Sequence, residues 1–391
     1  MRKLLLGVCA ALCMAFPATA EELKIVNIRV GQGDATLIQG PVNAAGTRVN
    51  VLFDAGDIPN LDGGNILRAV LNKNGVTSLD YVIVSHDDAD HIGGIAFGGV
   101  HGKSFVLGFN DAPGCTGDDD GDGTADWLPD QTFFKPDPEE LGLCDDLMVK
   151  NWVDYGPDLM RNTQAIRKYN GIANRMGQRI TINDQASVDN YEIDLGGGAK
   201  MIAYAANGYV RGNSERVKNV DEPNERSLSF LVVYDTFDFL ISGDLIGKRT
   251  SSKVNAKVEE AVGAAIVRDG RQVDVLHVNH HGADNGSAKA FIELIKPNIA
   301  IISAGNGNDH KHPRNSALRR LNEGGVYRTI LTSFGTSRER IRSDVRERLA
   351  VYQNDVVITS NGQTYDVSTS RSYHTDKNCV DDASTCSRGL R

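Results

Sequence analysis

The sequence predicts a mixed α/β domain in which two β-sheets pack between outer helices. Three observations predict it: short apolar runs recur through most of the 391 residues, helix-like stretches alternate with them, and a loop dense in histidine and aspartate follows directly on one of the runs. The strand-like runs are Leu23 to Val26, Ala35 to Ile38, Val51 to Phe53, Tyr81 to Val84, Phe230 to Tyr234, Phe239 to Ser242, Val273 to Val278 and Ile299 to Ser303. Among them, Asn65 to Lys73, Ala288 to Ile295 and Ser316 to Asn322 carry the helical pattern. Near the end, Val356 to Thr359 and Thr364 to Val367 flank Ser360-Asn361-Gly362-Gln363, and an Asn-Gly step between strand runs is a strong hairpin signal. It reads as the last hairpin of the same domain.

The loop that carries chemistry is Ser85-His86-Asp87-Asp88-Ala89-Asp90-His91-Ile92-Gly93-Gly94. It places His86, Asp88, Asp90 and His91 within six residues, directly after the apolar run ending at Val84. Imidazole nitrogens and carboxylate oxygens hold zinc and similar divalent ions, and a tight turn lets such side chains converge. Gly93 and Gly94 allow the backbone to turn sharply. A polar loop that only caps a helix would explain one Asp-His pair. Four donors at this spacing favour a metal.

The His-x-Asp-x-Asp-His pattern resembles the metal motif of the metallo-β-lactamase superfamily, in its variant with Asp at the second His position. Further segments follow in the order of the branch typified by the soluble domain of the DNA-uptake protein ComEC. They are Val30-Gly31-Gln32-Gly33-Asp34-Ala35, Phe53-Asp54-Ala55-Gly56, Asn224-Glu225-Arg226-Ser227-Leu228, Ser242-Gly243-Asp244, Asn279-His280-His281-Gly282 and His312-Pro313. The resemblance implies an αββα sandwich and a centre of one or two divalent transition metals, zinc or manganese. It assigns His86 and Asp88 to a first metal, Asp90 and His91 to a second, and Asp244 as a bridge. One of His280 and His281 would complete the second site, and which one stays open, because adjacent side chains at a strand end point in different directions. The third histidine usual for the first site is absent, and Asn224 and Ser227 stand in that region. Asp54 is expected to organise the ligand loop by hydrogen bonding from behind it. Asp90 and His312 are the catalytic candidates, with His312 facing the metals to protonate a leaving group or hold an oxyanion. His101, His277, His310 and His374 lack such support and are read as structural or exposed.

Composition bounds the setting. Arg2 and Lys3, an apolar core from Leu4 to Phe16 and Ala18-Thr19-Ala20 have the tripartite form of a secretory signal over residues 1–20. No other run is long enough to cross a bilayer, so a soluble exported protein, periplasmic or extracellular, is expected. Cys9 and Cys13 would leave with the leader, and the remaining four cysteines suggest disulfides. Proximity suggests Cys115 with Cys144 and Cys379 with Cys386, without establishing connectivity; metal ligation is the rival reading. The formal charge of -9 becomes -11 once Arg2 and Lys3 are gone, which argues against broad attachment to nucleic acid or anionic membrane. A local basic groove from Arg314, Arg319, Arg320 and Arg328 is compatible with that charge, as is a solvated helix face.

The main domain is assigned to residues 21–370, with a polar tail at 371–391 and an inserted Asp/Gly-rich subdomain over about 95–188. Within the insertion, Asp118, Asp120, Asp122 and Asp126 match a calcium loop, with Gly123 at its sixth position. Pro129 stands where a bidentate Glu is needed, so a shorter calcium loop is the better form, and a merely solvated acidic loop is the alternative. The expected activity is metal-assisted hydrolysis of a phosphodiester, either single-stranded DNA or a smaller exported phosphodiester. A hydrolase of a lactone, β-lactam or other carboxyl derivative is the first alternative. A calcium-stabilised binding module without turnover is the second.

Overall fold

A computed structural model describes residues 22–57, 63–96, 147–174, 177–247, 257–335 and 341–369. The expected leader, all six cysteines, the aspartates of the expected calcium loop, His101, His374 and the C-terminal tail lie outside the described residues. Six strands open the first sheet: β1 (Leu23–Asn27), β2 (Thr36–Gln39), β3 (Asn50–Phe53), β4 (Leu79–Ile83), β5 (Val149–Asp154) and β6 (Gln178–Thr181). The second sheet follows with β7 (Glu192–Gly196), β8 (Ala199–Ala206), β9 (Tyr209–Val210), β10 (Ser229–Tyr234), β11 (Phe237–Ile241), β12 (Val275–His277), β13 (Ile299–Ile302), β14 (Arg328–Leu331) and β15 (Leu349–Val351). The chain then returns to the first sheet as β16 (Val356–Ser360) and β17 (Tyr365–Thr369), whose antiparallel pairing is the hairpin expected around Asn361-Gly362. Strand orders are β17-β16-β1-β2-β3-β4-β5-β6 and β15-β14-β13-β12-β11-β10-β8-β7, with β9 paired to β8.

Alternation along the strands explains the layering. Ile25, Ile38, Val51, Phe53 and Ile83 face the second sheet and meet Met201, Phe230, Val232, Phe239 and Ile241 in one buried cluster. Phe53 and Phe230 meet edge to face at 6.3 Å. The alternate residues Val26, Leu37, Leu52, Val82 and Trp152 face outward, under helices α1 (Gly63–Lys73), α2 (Ala89–Ala96) and α3 (Gln164–Ala173). The short α4 (Gln185–Asn190) joins the sheets, and α5 (Val258–Arg268), α6 (Lys289–Ile295) and α7 (Asn315–Glu323) cover the second sheet. This is the αββα sandwich the sequence predicts. No helix among the described residues is long and apolar enough to cross a membrane.

Two expectations change. Residues 147–188, assigned to the insertion, supply β5 and β6 to the first sheet, pairing β4–β5 and β5–β6 in parallel, so this part is integral to the sandwich. The four arginines do not share one helix face. Arg320 is partly buried and donates to the carbonyls of Ala283, Gly286 and Ser287, Arg319 pairs with Asp344, Arg314 approaches Asp284, and Arg328 lies in β14.

Candidate metal centre

The site is built where strands end. Strands β3, β4, β11 and β12 deliver Asp54, the His86–His91 loop, Asp244 and His280–His281 to one edge of the sandwich, because parallel neighbours release their following loops on the same side. Backbone bonds tie these loops together: Ala55 N donates to His91 O at 2.8 Å, Gly56 N to Asp34 O at 2.8 Å, and Leu228 N to Ser85 O at 2.9 Å. Gly243 has φ 51°, and a Cβ there would collide with Ser85 Oγ, so this approach of the two sheets requires glycine.

The imidazoles are held from behind. Asp54, fully buried, accepts from Ser85 N at 2.7 Å, Ser85 Oγ at 2.6 Å and His91 Nδ1 at 2.8 Å. Since the Ser85 hydroxyl proton goes to Asp54, His86 Nδ1 donates to Ser85 Oγ at 3.0 Å. His281 Nδ1 donates to Ser303 O at 3.1 Å and lies 3.3 Å from Asp34 Oδ1. With each Nδ1 engaged, the Nε2 atoms of His86, His91 and His281 turn toward the centre, where all three are buried without a hydrogen-bond partner.

Asp244 sits between two groups of donors. Its Oδ1 lies 3.2 Å from His91 Nε2 and 3.4 Å from His281 Nε2, while Oδ2 lies 3.6 Å from His280 Nε2 and 3.9 Å from His86 Nε2. Asp88 Oδ2 stands 3.3 Å from His86 Nε2, and Asp90 Oδ2 stands 3.3 Å from His281 Nε2. Two sets have ligand atoms within 4.8 Å of one another: His86, Asp88 and Asp244, and Asp34, His91, Asp244 and His281. Buried carboxylates and orphaned imidazole nitrogens converging in this way fit a divalent ion or a pair of them.

The charges agree. Burial works to lower the pKa of His91 and His281, but Asp244, with Asp54 and Asp90 near His91 and Asp34 near His281, outweighs it and holds both rings well above their ordinary value. Burial would raise Asp244, yet His281, His91 and His280 hold it well below the usual carboxylate range. Asp88 is held at about 2: burial opposes ionisation, while His86 and the Arg161 guanidinium favour it. Without a metal the cluster therefore stores protons on histidines against ionised aspartates.

Of the pair, His281 belongs to a set of converging ligand atoms, whereas His280 lies outside both sets with its Nε2 3.6 Å from Asp244 Oδ2. The pair does not follow strand alternation: His280 and His281 both have left-handed backbone, with φ 53° and 50°. The turn sends His281 to the Oδ1 side of Asp244 and His280 to the Oδ2 side, beside His86. Asn224 Nδ2 is 3.4 Å from His280 Nε2, and Ser227 is buried with its Oγ unpartnered. His312 is buried with its ring 5.5 Å from His280 and 5.9 Å from His281, and burial together with these neighbours pulls its pKa down to about 3. A neutral ring there can donate an N–H to an oxyanion.

Sequence reasoning passed over several residues. Asp34 was quoted as part of a segment without a role, yet it stands behind His281 and 3.7 Å from His277 Nε2, so His277 belongs to the site's support. Arg161, exposed at the rim, bonds Asp88 Oδ1 and Asp87, and Asp87 also accepts from Tyr155 at 2.6 Å. Their separation along the chain leaves no local signal.

The αββα fold and this aspartate–histidine cluster together make a candidate metal centre at one edge of the sandwich. No family model matches the chain. It is 22% identical over 355 residues to ComE operon protein 3 of Bacillus subtilis, covering 87% of this chain and 36% of that protein. It is 31% identical over 145 residues to the competence protein ComA of Neisseria gonorrhoeae, covering 36% of this chain and 19% of that one. The chain thus spans about a third or less of these relatives. Among solved structures, unliganded yeast PDE1 shares 10% identity at a TM-score of 0.40, over 83% of this chain and 91% of that one, a likeness too distant to carry a functional argument. The likeness to competence proteins rests on these curated relatives.

Proposed function

We propose that the protein is a metal-dependent hydrolase, most simply a phosphodiesterase, whose centre takes one or two zinc or manganese ions. The observation that carries this reading is the carboxylate of Asp244 set between two groups of inward-facing Nε2 atoms. His86, Asp88, His280 and Asp244 would hold one ion, and His91, His281, Asp90 and Asp244 the other. Ions bound there supply Lewis acidity and lower the pKa of water from about 15.7 to about 7. The chain's own residues do the rest. Asp54, Ser85 and Asp34 keep the imidazoles in the Nδ1–H tautomer. His312 gives its N–H to a substrate oxygen, and Arg161 places a guanidinium at the rim beside Asp88, where a phosphate charge would be met. His280 Nε2, 3.6 Å from Asp244 Oδ2, would offer the first ion a histidine in place of the one its motif lacks, which counts against a binding module without turnover. DNA uptake is the setting that the relatives' names suggest, and single-stranded DNA is the first macromolecular substrate to try, with a small exported phosphodiester beside it.

The test is hydrolysis of bis(p-nitrophenyl) phosphate and labelled single-stranded DNA with added manganese or zinc, beside an Asp90→Ala, His91→Ala double variant. Metal-dependent turnover absent from the variant is expected, and the DNA arm decides between nuclease and small-substrate phosphodiesterase. No turnover of either substrate with metal shown to be bound would overturn the phosphodiester reading in favour of a carboxyl derivative. A second expectation follows from the protonated histidines: metal binding displaces the protons on His91 and His281, so affinity rises as pH climbs past 6.5. Calorimetry in buffers of different ionisation enthalpy reads this directly. An enthalpy independent of the buffer would contradict it.

A further inference from the structure

Behind the His280–His281 turn lies a buried carboxylate that the proposed chemistry does not use. Glu259, in the first turn of α5, is fully buried. Its Oε1 accepts from Asn279 Nδ2 at 2.7 Å and Ser287 N at 2.5 Å, and its Oε2 accepts from Ala288 N at 2.8 Å. These three donors bracket the turn: Asn279 immediately precedes His280, and Ser287 and Ala288 lead into α6. Asn279 N donates in turn to Ser287 Oγ at 3.1 Å, closing the loop on itself. From α7, Arg320 satisfies the outward carbonyls of the same loop, donating to Ala283 O at 3.0 Å, Gly286 O at 2.7 Å and Ser287 O at 3.1 Å. Left-handed backbone at a residue with a side chain costs on the order of 1–3 kcal/mol and persists only where the surroundings over-determine it. Two such residues in succession need that bracing, and Glu259 with Arg320 supplies it from two helices.

We infer that Glu259, backed by Arg320, is a positioning residue that fixes the two-residue left-handed turn and so aims His280 and His281 at opposite oxygens of Asp244. It acts through Asn279 and the backbone of Ser287 and Ala288 and touches none of the proposed ligands. A carboxylate suits the place because three donors converge on two oxygens, and only an acceptor-only group meets all of them. Replacement by Gln keeps one acceptor for Asn279 and Ser287 but sets its amide against the Ala288 N–H.

This inference rests on the metal-centre reading, and the experiment separates the two. Manganese and zinc affinities are measured by competition with a chromogenic chelator for the wild-type protein and the Glu259→Ala, Glu259→Gln and Arg320→Met variants, with melting temperatures recorded with and without metal. Wild-type protein that binds no metal would sink the metal centre itself. If wild type binds, Glu259→Ala is expected to weaken binding by about 10–100-fold, the range for groups that orient ligands. Glu259→Gln should recover most of the affinity, and Arg320→Met should show a smaller loss. The metal-induced rise in melting temperature should shrink in the same order. Lower melting temperatures with unchanged affinities and an unchanged metal-induced rise would mean that the network is only structural and would overturn the inference. Should Glu259→Ala fail to fold, Arg320→Met decides: wild-type affinity in that variant overturns the inference as well.

Discussion

Replacing Asp244 with Asn is expected to strip the protein of metal at both positions, and with it all turnover, while a change at His86 alone should spare the second position. The asymmetry follows from geometry. Asp244 Oδ1 faces His91 and His281, and Oδ2 faces His86 and His280, so each proposed position draws on this one side chain. The loss should exceed the 10–100-fold cost typical of groups that act only through a ligand. The metal-free protein carries a second signature. The folded pKa of Asp244 is depressed, so its contribution to stability is present above its ordinary 3.8 and lost as pH falls through the lower folded value. Those of His91 and His281 are raised, so theirs is full below 6.5 and lost as pH rises through the higher folded values. The cluster therefore stabilises the metal-free fold most between these limits. Asp244→Asn should lower the metal-free melting temperature most at about pH 4–6.5 and progressively less on either side. Metal analysis and melting curves across pH check both parts; a variant that keeps two equivalents of metal would refute the bridging role.

How much of this the sequence shows depends on whether a feature is local. The His86–His91 loop is legible because its donors are consecutive and follow an apolar run, and Asp244 follows a strand in the same way. The final hairpin is legible because Asn361-Gly362 is a turn signal in itself. Strand β6, Gln178–Thr181, is an edge strand with no fully buried residue, so it gives no hydrophobic alternation to read. Its neighbour β5 has a readable core in Trp152 and Val153, but it follows a Gly-, Asp- and Pro-rich stretch and so passes as part of an insertion. The directions of the His280 and His281 side chains are not legible for a conformational reason: period-2 alternation holds in strands and fails where two residues are left-handed. Asp34, Arg161 and Glu259 reach the site only through the tertiary fold, from 247, 73 and 28 positions away from His281, Asp88 and Ser287.

Asp54 shows what such support is worth, and its two substitutions should separate stability from metal binding. It is fully buried, has φ 57° and accepts three hydrogen bonds, from Ser85 N, Ser85 Oγ and His91 Nδ1. Asp54→Ala removes the acceptor of all three bonds and leaves the Ser85 N–H, its hydroxyl and the His91 imidazole unmatched, so a loss of about 3–5 kcal/mol is expected, as for breaking one side of a buried ionic pair. Asp54→Asn keeps the volume and the bond from Ser85 N, so it should fold. Its amide then faces His91 Nδ1 as a donor, and a neutral ring can accept that bond only by moving its proton to Nε2. Nε2 is the atom aimed at Asp244 Oδ1, 3.2 Å away, and a protonated nitrogen has no lone pair for a metal. Asp54→Asn should therefore melt within a few degrees of wild type without metal and yet bind metal about 10–100-fold more weakly. Nitrogen-15 spectra of the histidine ring would show the tautomer directly, and an Asn variant with wild-type affinity and its proton still on Nδ1 would show that Asp54 serves the fold alone.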